Sequence, residues 1–384
     1  MTNIELYDLS PALRVMITGF LVALIPLSWV WLSRRGASMA QRLRMLTLLT
    51  LFLTFDLVLF GAFTRLSDSG LGCPDWPGCY GHGSPLGAQV HIDAAQEAMP
   101  SGPVTHGKAW IEMIHRYLAT GVGVLILTLT SISWLQRRQI KISPWWPTIT
   151  LFWVCLQGAF GALTVTMKLF PAIVTMHLLG GLVLLALLKM QAVFYSQAQG
   201  ESSAAVISSG LRKLLFATVA LLWIQLALGG WVSTNYAVMA CTDFPSCQGS
   251  LWPAMDFKQG FTIWRELGIG SNGEYLSFQA LLTAIHYVHR LTAYLLFAVL
   301  LLLAVKLLRF AALRNQAYWL GGLALLQAGS GLGNVVLGWP MLGAVLHTGG
   351  AAALVVVTTG LVFCSRSGID AVSASKSRAS RLTS

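Results

Sequence analysis

The chain has 384 residues, of which 55% are hydrophobic and only 10% charged, and its mean hydropathy is +0.68. That balance excludes a soluble globular domain and indicates a polytopic membrane protein. The net charge of +11 does not mark a nucleic-acid face, because the basic residues are scattered over loops at the membrane edges, where they suit anionic lipid.

A helix needs about 20 apolar residues to cross a hydrocarbon core of roughly 30 Å. Nine stretches reach that length, near residues 12–32, 44–64, 110–134, 147–167, 173–194, 213–234, 281–305, 317–337 and 341–363. In lipid each segment must satisfy its own backbone hydrogen bonds, and no alternating strand pattern is present, so the expected fold is all-α. The first stretch is followed by Ser33-Arg34-Arg35 rather than a small-residue cleavage site. It reads as a retained span, not a signal peptide.

Basic residues cluster between spans one and two (Arg34, Arg35, Arg42, Arg44), three and four (Arg137, Arg138, Lys141), and before span six (Arg212, Lys213). Lys306, Arg309 and Arg314 precede span eight, and Arg366, Lys376, Arg378 and Arg381 form the tail. All of these segments fall on one side, which the positive-inside rule makes cytoplasmic. The N-terminus is then external and the C-terminus cytoplasmic.

Two long loops, about 65–109 and 235–280, face outward and contain four of the six cysteines. Cys73 and Cys79 bracket Pro-Asp-Trp-Pro-Gly; Cys241 and Cys247 bracket Thr-Asp-Phe-Pro-Ser. Outside the cytoplasm such pairs oxidise, and a short Pro-containing loop brings them within disulfide reach. His82, close to Cys79, keeps a metal site as the weaker alternative. Cys155 and Cys364 lie in spans and read as packing residues.

These loops belong to an internal repeat. Gly61 to Cys79 runs parallel to Gly229 to Cys247; His115-Arg116 matches His289-Arg290, Gln157 and Gly161 match Gln327 and Gly331, and His177 and Gly180 match His347 and Gly350. The expected organisation is two parallel-repeat four-helix bundles plus one extra N-terminal transmembrane helix. Residues 1–43 hold that helix and a cytoplasmic loop, 44–196 the N-terminal bundle, 197–211 a cytoplasmic linker, 212–365 the C-terminal bundle and 366–384 a disordered cytoplasmic tail.

Four histidines lie early in spans that descend from the external face, His115 level with His177 and His289 level with His347. Two imidazoles facing one another across a four-helix bundle can hold haem iron from both sides. A single membrane histidine can equally hydrogen-bond a neighbouring helix, but four at repeated depths argue for function. Arg116 and Arg290 suit haem propionates or headgroup phosphates, and the sequence leaves both open.

The repeat breaks beside the histidines. Glu112 stands three residues before His115, but His286 stands three residues before His289, and this spacing keeps each pair on one helix face. Arg65 and Asp68 are matched by the uncharged Ser233 and Tyr236. A carboxyl group near a haem can move protons or stabilise positive charge, so one half is equipped to transform its ligand and the other to hold it. The plainer reading of Glu112 is an ion pair with Arg116 or Lys108.

Together the run from Gly61 to Cys79, Glu112-x-x-His115-Arg116, His177, His286-x-x-His289-Arg290 and His347 resemble the haem A synthase family, bacterial type with paired external cysteines, from about residue 44 to 363. The resemblance implies an oxidoreductase of the bacterial cytoplasmic membrane that converts the substrate haem O to haem A for terminal oxidases. Two successive oxidations of a porphyrin methyl group, through an alcohol and a geminal diol, leave the formyl group. It further implies that His289 and His347 ligate a resident haem b, that His115 and His177, with Arg116, serve the substrate haem, and that Glu112 is catalytic. His286, Arg290 and Arg65 are the remaining haem-pocket candidates. Implied partners are haem O synthase, terminal-oxidase assembly factors and like copies of the chain. The extra first span departs from the family pattern. A bis-histidine cytochrome b that carries electrons between quinone and external thiols or disulfides is the rival reading, and it leaves Glu112 without a purpose.

Overall fold

A computed structural model describes residues 8–33, 35–201, 204–264 and 279–367. Residues 368–384 of the tail expected over 366–384, and part of the second long loop, lie outside the described residues. The helices in chain order are α1 (Ser10–Ser33), α2 (Met39–Leu66), α3 (Gln89–Ala98), α4 (His106–Leu135), α5 (Trp145–Thr166), α6 (Pro171–Ala198), α7 (Ser209–Thr234), α8 (Phe257–Gly260), α9 (Gln279–Leu307), α10 (Arg314–Val336) and α11 (Met341–Phe363). All nine expected spans are helical. Eight are long and apolar enough to cross a membrane, which establishes an all-α multi-pass membrane protein. The ninth, α10, is long enough at about 34 Å but is diluted by Gln327, Ser330, Asn334 and several glycines.

Caps mark where membrane helices emerge. Ser38 closes a capping box with Gln41 at the start of α2, Thr105 accepts from the Lys108 amide at α4, and Ser208 accepts from the Leu211 amide at α7. The two long loops contain short helices. The first contains α3, and the second contains α8 and a 3-10 turn over Ala237–Ala240.

The chain packs as two compact units, 1–184 and 185–384, whose division falls inside α6. In the first unit α4 is central and packs against α1, α2, α3 and α5. In the second, α9 holds the corresponding place against α7, α8 and α10. Residues 205–207, expected to be linker, form strand β1 (Ala205–Ile207), which pairs in parallel with β2 (Ser365–Ser367) just beyond α11. The sequence offered no sign of this pairing because three-residue strands carry no period to read.

Candidate functional site

In the N-terminal unit the disulfide loop is fastened to α4 through one buried carboxylate. Glu112, 4% exposed, accepts from the Cys73 amide at 2.7 Å and from Arg116 Nη2 at 2.5 Å. Arg116 Nη1 donates in turn to the carbonyls of Asp75 at 2.9 Å, Pro77 at 3.3 Å and Gly78. The approach depends on Gly72, where a Cβ would lie 2.4 Å from the Lys108 carbonyl carbon. Lys108 does not reach Glu112; its Nζ donates to the Gly102 carbonyl at 3.0 Å. Of the partners foreseen for Glu112, Arg116 is the one it takes.

The loop holds its own shape. Cys73 and Cys79 are disulfide-bonded, Cys79 and His82 exchange backbone hydrogen bonds, and the Asp75 carboxylate accepts from the amides of Tyr80 and Gly81 at 2.6 and 2.7 Å. Cys241 and Cys247 are bonded likewise, so the metal reading of either pair is set aside. Cys247 and Ser250 exchange backbone hydrogen bonds, and Asp243 accepts from the amides of Gln248 and Gly249. The Ser246 hydroxyl, followed by these amides, holds the Asp243 carboxyl at about 2, below its usual 3.8. Arg290 Nη1 donates to the carbonyls of Asp243 at 3.0 Å and Ser246 at 2.8 Å, as Arg116 does to Asp75 and Gly78.

Each histidine meets a glycine. A Cβ on Gly61 would lie 3.1 Å from His115 Cε1, and one on Gly161 would lie 3.4 Å from His177 Cε1. In the C-terminal unit Gly229 stands to His289 and Gly331 to His347 in the same way, at 3.0 and 3.2 Å. His115 and His177 lie within electrostatic reach of each other, as do His289 and His347. Phe60 stacks on His115 with centroids 6.2 Å apart and planes 9° from parallel. The Nδ1 atoms of His115 and His177 are buried with no hydrogen-bond partner. In the C-terminal unit Gln225 Nε2 lies 3.0 Å from His289 Nδ1, Ser330 Oγ lies 2.9 Å from His347 Nδ1, and Gln327 donates to the His347 carbonyl.

These features fit a haem better than a bare ion. Among the described residues no group of three or more His, Cys, Asp or Glu side chains could cage an ion. Two imidazoles with glycine clearance suit a metal that brings its equatorial ligands in a flat macrocycle. His286, one turn before His289, bonds the Ala237 carbonyl through Nδ1 at 3.1 Å. Arg65 pairs with Asp68 at 3.3 Å where α2 ends.

Two polar residues escaped the sequence reading: Gln225 and Ser330 attend the C-terminal histidines.

Residues 44–359 match the family model described as cytochrome oxidase assembly protein. Among similar curated proteins, the haem A synthase of Shewanella oneidensis is 38% identical over 319 residues, 82% of this chain and 94% of that protein. That of Caulobacter sp. (strain K31) is 28% identical over 329 residues, 80% and 91% of the respective chains. That of Alkalihalophilus pseudofirmus is 24% identical over 219 residues, 56% and 68%.

Proposed function

Since the chain belongs to the cytochrome oxidase assembly protein family, we propose that it is a haem A synthase, an oxidoreductase that converts the methyl group of haem O to the formyl group of haem A. The observation that carries the reading is the placement of Glu112. It lies on the same face of α4 as His115, out of bulk water, and is oriented by the Cys73 amide and Arg116.

The N-terminal unit binds the substrate haem between His115 and His177, the glycines at 61 and 161 leaving room against the imidazoles. Conversion of methyl to aldehyde, by way of the alcohol and the diol, adds one oxygen atom and removes four electrons, which an oxidant outside this chain must accept. Each oxidation releases protons, and in this reading Glu112 accepts them or stabilises positive charge on the substrate. Arg116 positions Glu112 and clamps the loop over it. Loop and helix exclude water from that carboxylate.

In the C-terminal unit His289 and His347 hold a resident haem b, with Gln225 and Ser330 orienting the imidazoles. A bound haem b supplies one-electron redox chemistry. With the N-terminus outside, both disulfide loops face an oxidising exterior, the inner-membrane arrangement that haem O synthase and terminal-oxidase assembly factors would share.

The test is Glu112→Gln in a host that makes haem O. Haems extracted from the purified variant and weighed by mass spectrometry are expected to be haem B with haem O or its alcohol, and no haem A. Normal haem A from a correctly inserted variant would remove Glu112 from the reaction.

A further inference from the structure

The two arginines beside the histidines are clamped alike and compensated differently. Arg116 and Arg290 both anchor Nη1 on loop carbonyls at corresponding positions. Arg116 Nη2 then meets the Glu112 carboxylate at 2.5 Å. Arg290 Nη2 is buried without a hydrogen-bond partner, on a side chain that is 7% exposed as a residue, and no carboxylate faces it among the described residues.

The neighbouring groups do not make up the difference. His286, at the position of Glu112, uses Nδ1 on the Ala237 carbonyl. Phe244 offers Arg290 only a ring face at 5.9 Å. The Cys241 amide, whose counterpart at Cys73 donates to Glu112, finds no acceptor among the described residues either. Ala240 stands where the first loop has Gly72, and a side chain there keeps the loop from descending as closely onto its helix. A buried guanidinium without a counter-ion is costly, and a carboxylate is the anion that its fork of donors matches.

We propose that the C-terminal unit binds one carboxylate group of a ligand at Arg290 Nη2, in the role that the Glu112 carboxylate has against Arg116. The ligand carboxylate takes the part of Glu112, whose position in this half is held by His286. Its source is a propionate of the haem held by His289 and His347, which rests on the haem reading of this unit, or a free carboxylate from solution.

The test uses full-length protein with His115→Ala and His177→Ala, so that retained haem reports the C-terminal unit, with loss on His347→Ala as the control. In this background the reduction potential and haem content are compared for the parent, Arg290→Met and His286→Glu. Isotope-labelled acetate is followed in parallel by infrared difference spectroscopy, which needs no haem. Removing the cation is expected to lower the potential, since a more negative surrounding favours ferric iron. His286→Glu is expected to supply a chain carboxylate, displace the ligand's own and reduce haem retention.

A propionate source leaves these shifts indifferent to acetate. A solution source gives an acetate band in the parent that Arg290→Met abolishes, and this band would survive even if no haem were retained and the haem reading of the unit failed. Unchanged potential and haem content in both variants, with no acetate band, would overturn the proposal. So would a Glu266→Gln, Glu274→Gln double variant that reproduces the Arg290→Met shift, because the carboxylate would then belong to the chain. Absence of both haem and acetate band would defeat the proposal and the haem reading together.

Discussion

Gly72 determines whether Glu112 has an amide to hold it. A methyl group there would sit 2.4 Å from the backbone of Lys108, which cannot move aside without breaking the first turn of α4. The loop must lift instead, at about 1–3 kcal/mol for such overpacking. Gly72→Ala is therefore expected to slacken the Cys73 contact and reduce haem O conversion while leaving the C-terminal haem in place. The measurement is haem extraction alongside the reduced absorption spectrum; an undiminished yield of haem A would show that the amide contact is dispensable. At this scale the sequence was informative where a residue broke the repeat and silent where geometry chose a partner. Glu112 stood out because its counterpart is His286. Arg116 could equally have faced headgroups, propionates or Glu112, since sequence reports its depth but not its direction. Gly72 resembles any other loop glycine until the helix beneath it is seen.

The elements show why α10 departs from the apolar pattern. Gln327 and Ser330 spend their polar groups on His347, and Gly331 clears its ring. These features lower the apolarity of the helix without making it a surface element. The parallel pairing of β1 with β2 requires residues 205–207 and 365–367 to lie on the same side of the membrane. Between them stand α7, α9 and α11, so α10 must also cross to make the number of crossings even. Helix α1, outside the matched family segment, packs on α4 where Gly19 meets Thr120, with 2.5 Å between a Cβ at Gly19 and the Thr120 side chain. Its first turn also abuts the disulfide loop, Pro11 against Gly78 and Arg14 against Gly83. Gly19→Leu is expected to displace α1 and unbrace the loop, lowering the melting temperature in detergent and raising the rate at which an impermeant reductant opens Cys73–Cys79. If both stay at the parent values, α1 is not a brace.

For the whole molecule, hydropathy revealed the all-α architecture, because spanning helices must be apolar over a fixed length. The β1–β2 clasp and the helices within the external loops were not legible, since short elements in polar segments leave no periodic trace. The orientation we propose rests on charge combined with the crossings just argued. Both disulfide loops lie at the ends of α2 and α7 opposite the basic segments around Arg35, Arg137 and Arg212. If all nine helices cross, the two termini lie on opposite faces, and we propose that the basic side is the cytoplasmic one. An enzyme reporter that folds only outside the cytoplasm is expected to be active when fused at the N-terminus and inactive when fused after Arg366. A reporter that works only inside should give the opposite pattern. Activity of the external reporter at both ends would mean an even number of crossings, contradicting a membrane-spanning α10; the reversed pattern would keep nine crossings but place both disulfide loops in the reducing cytoplasm, where their bonds would not persist.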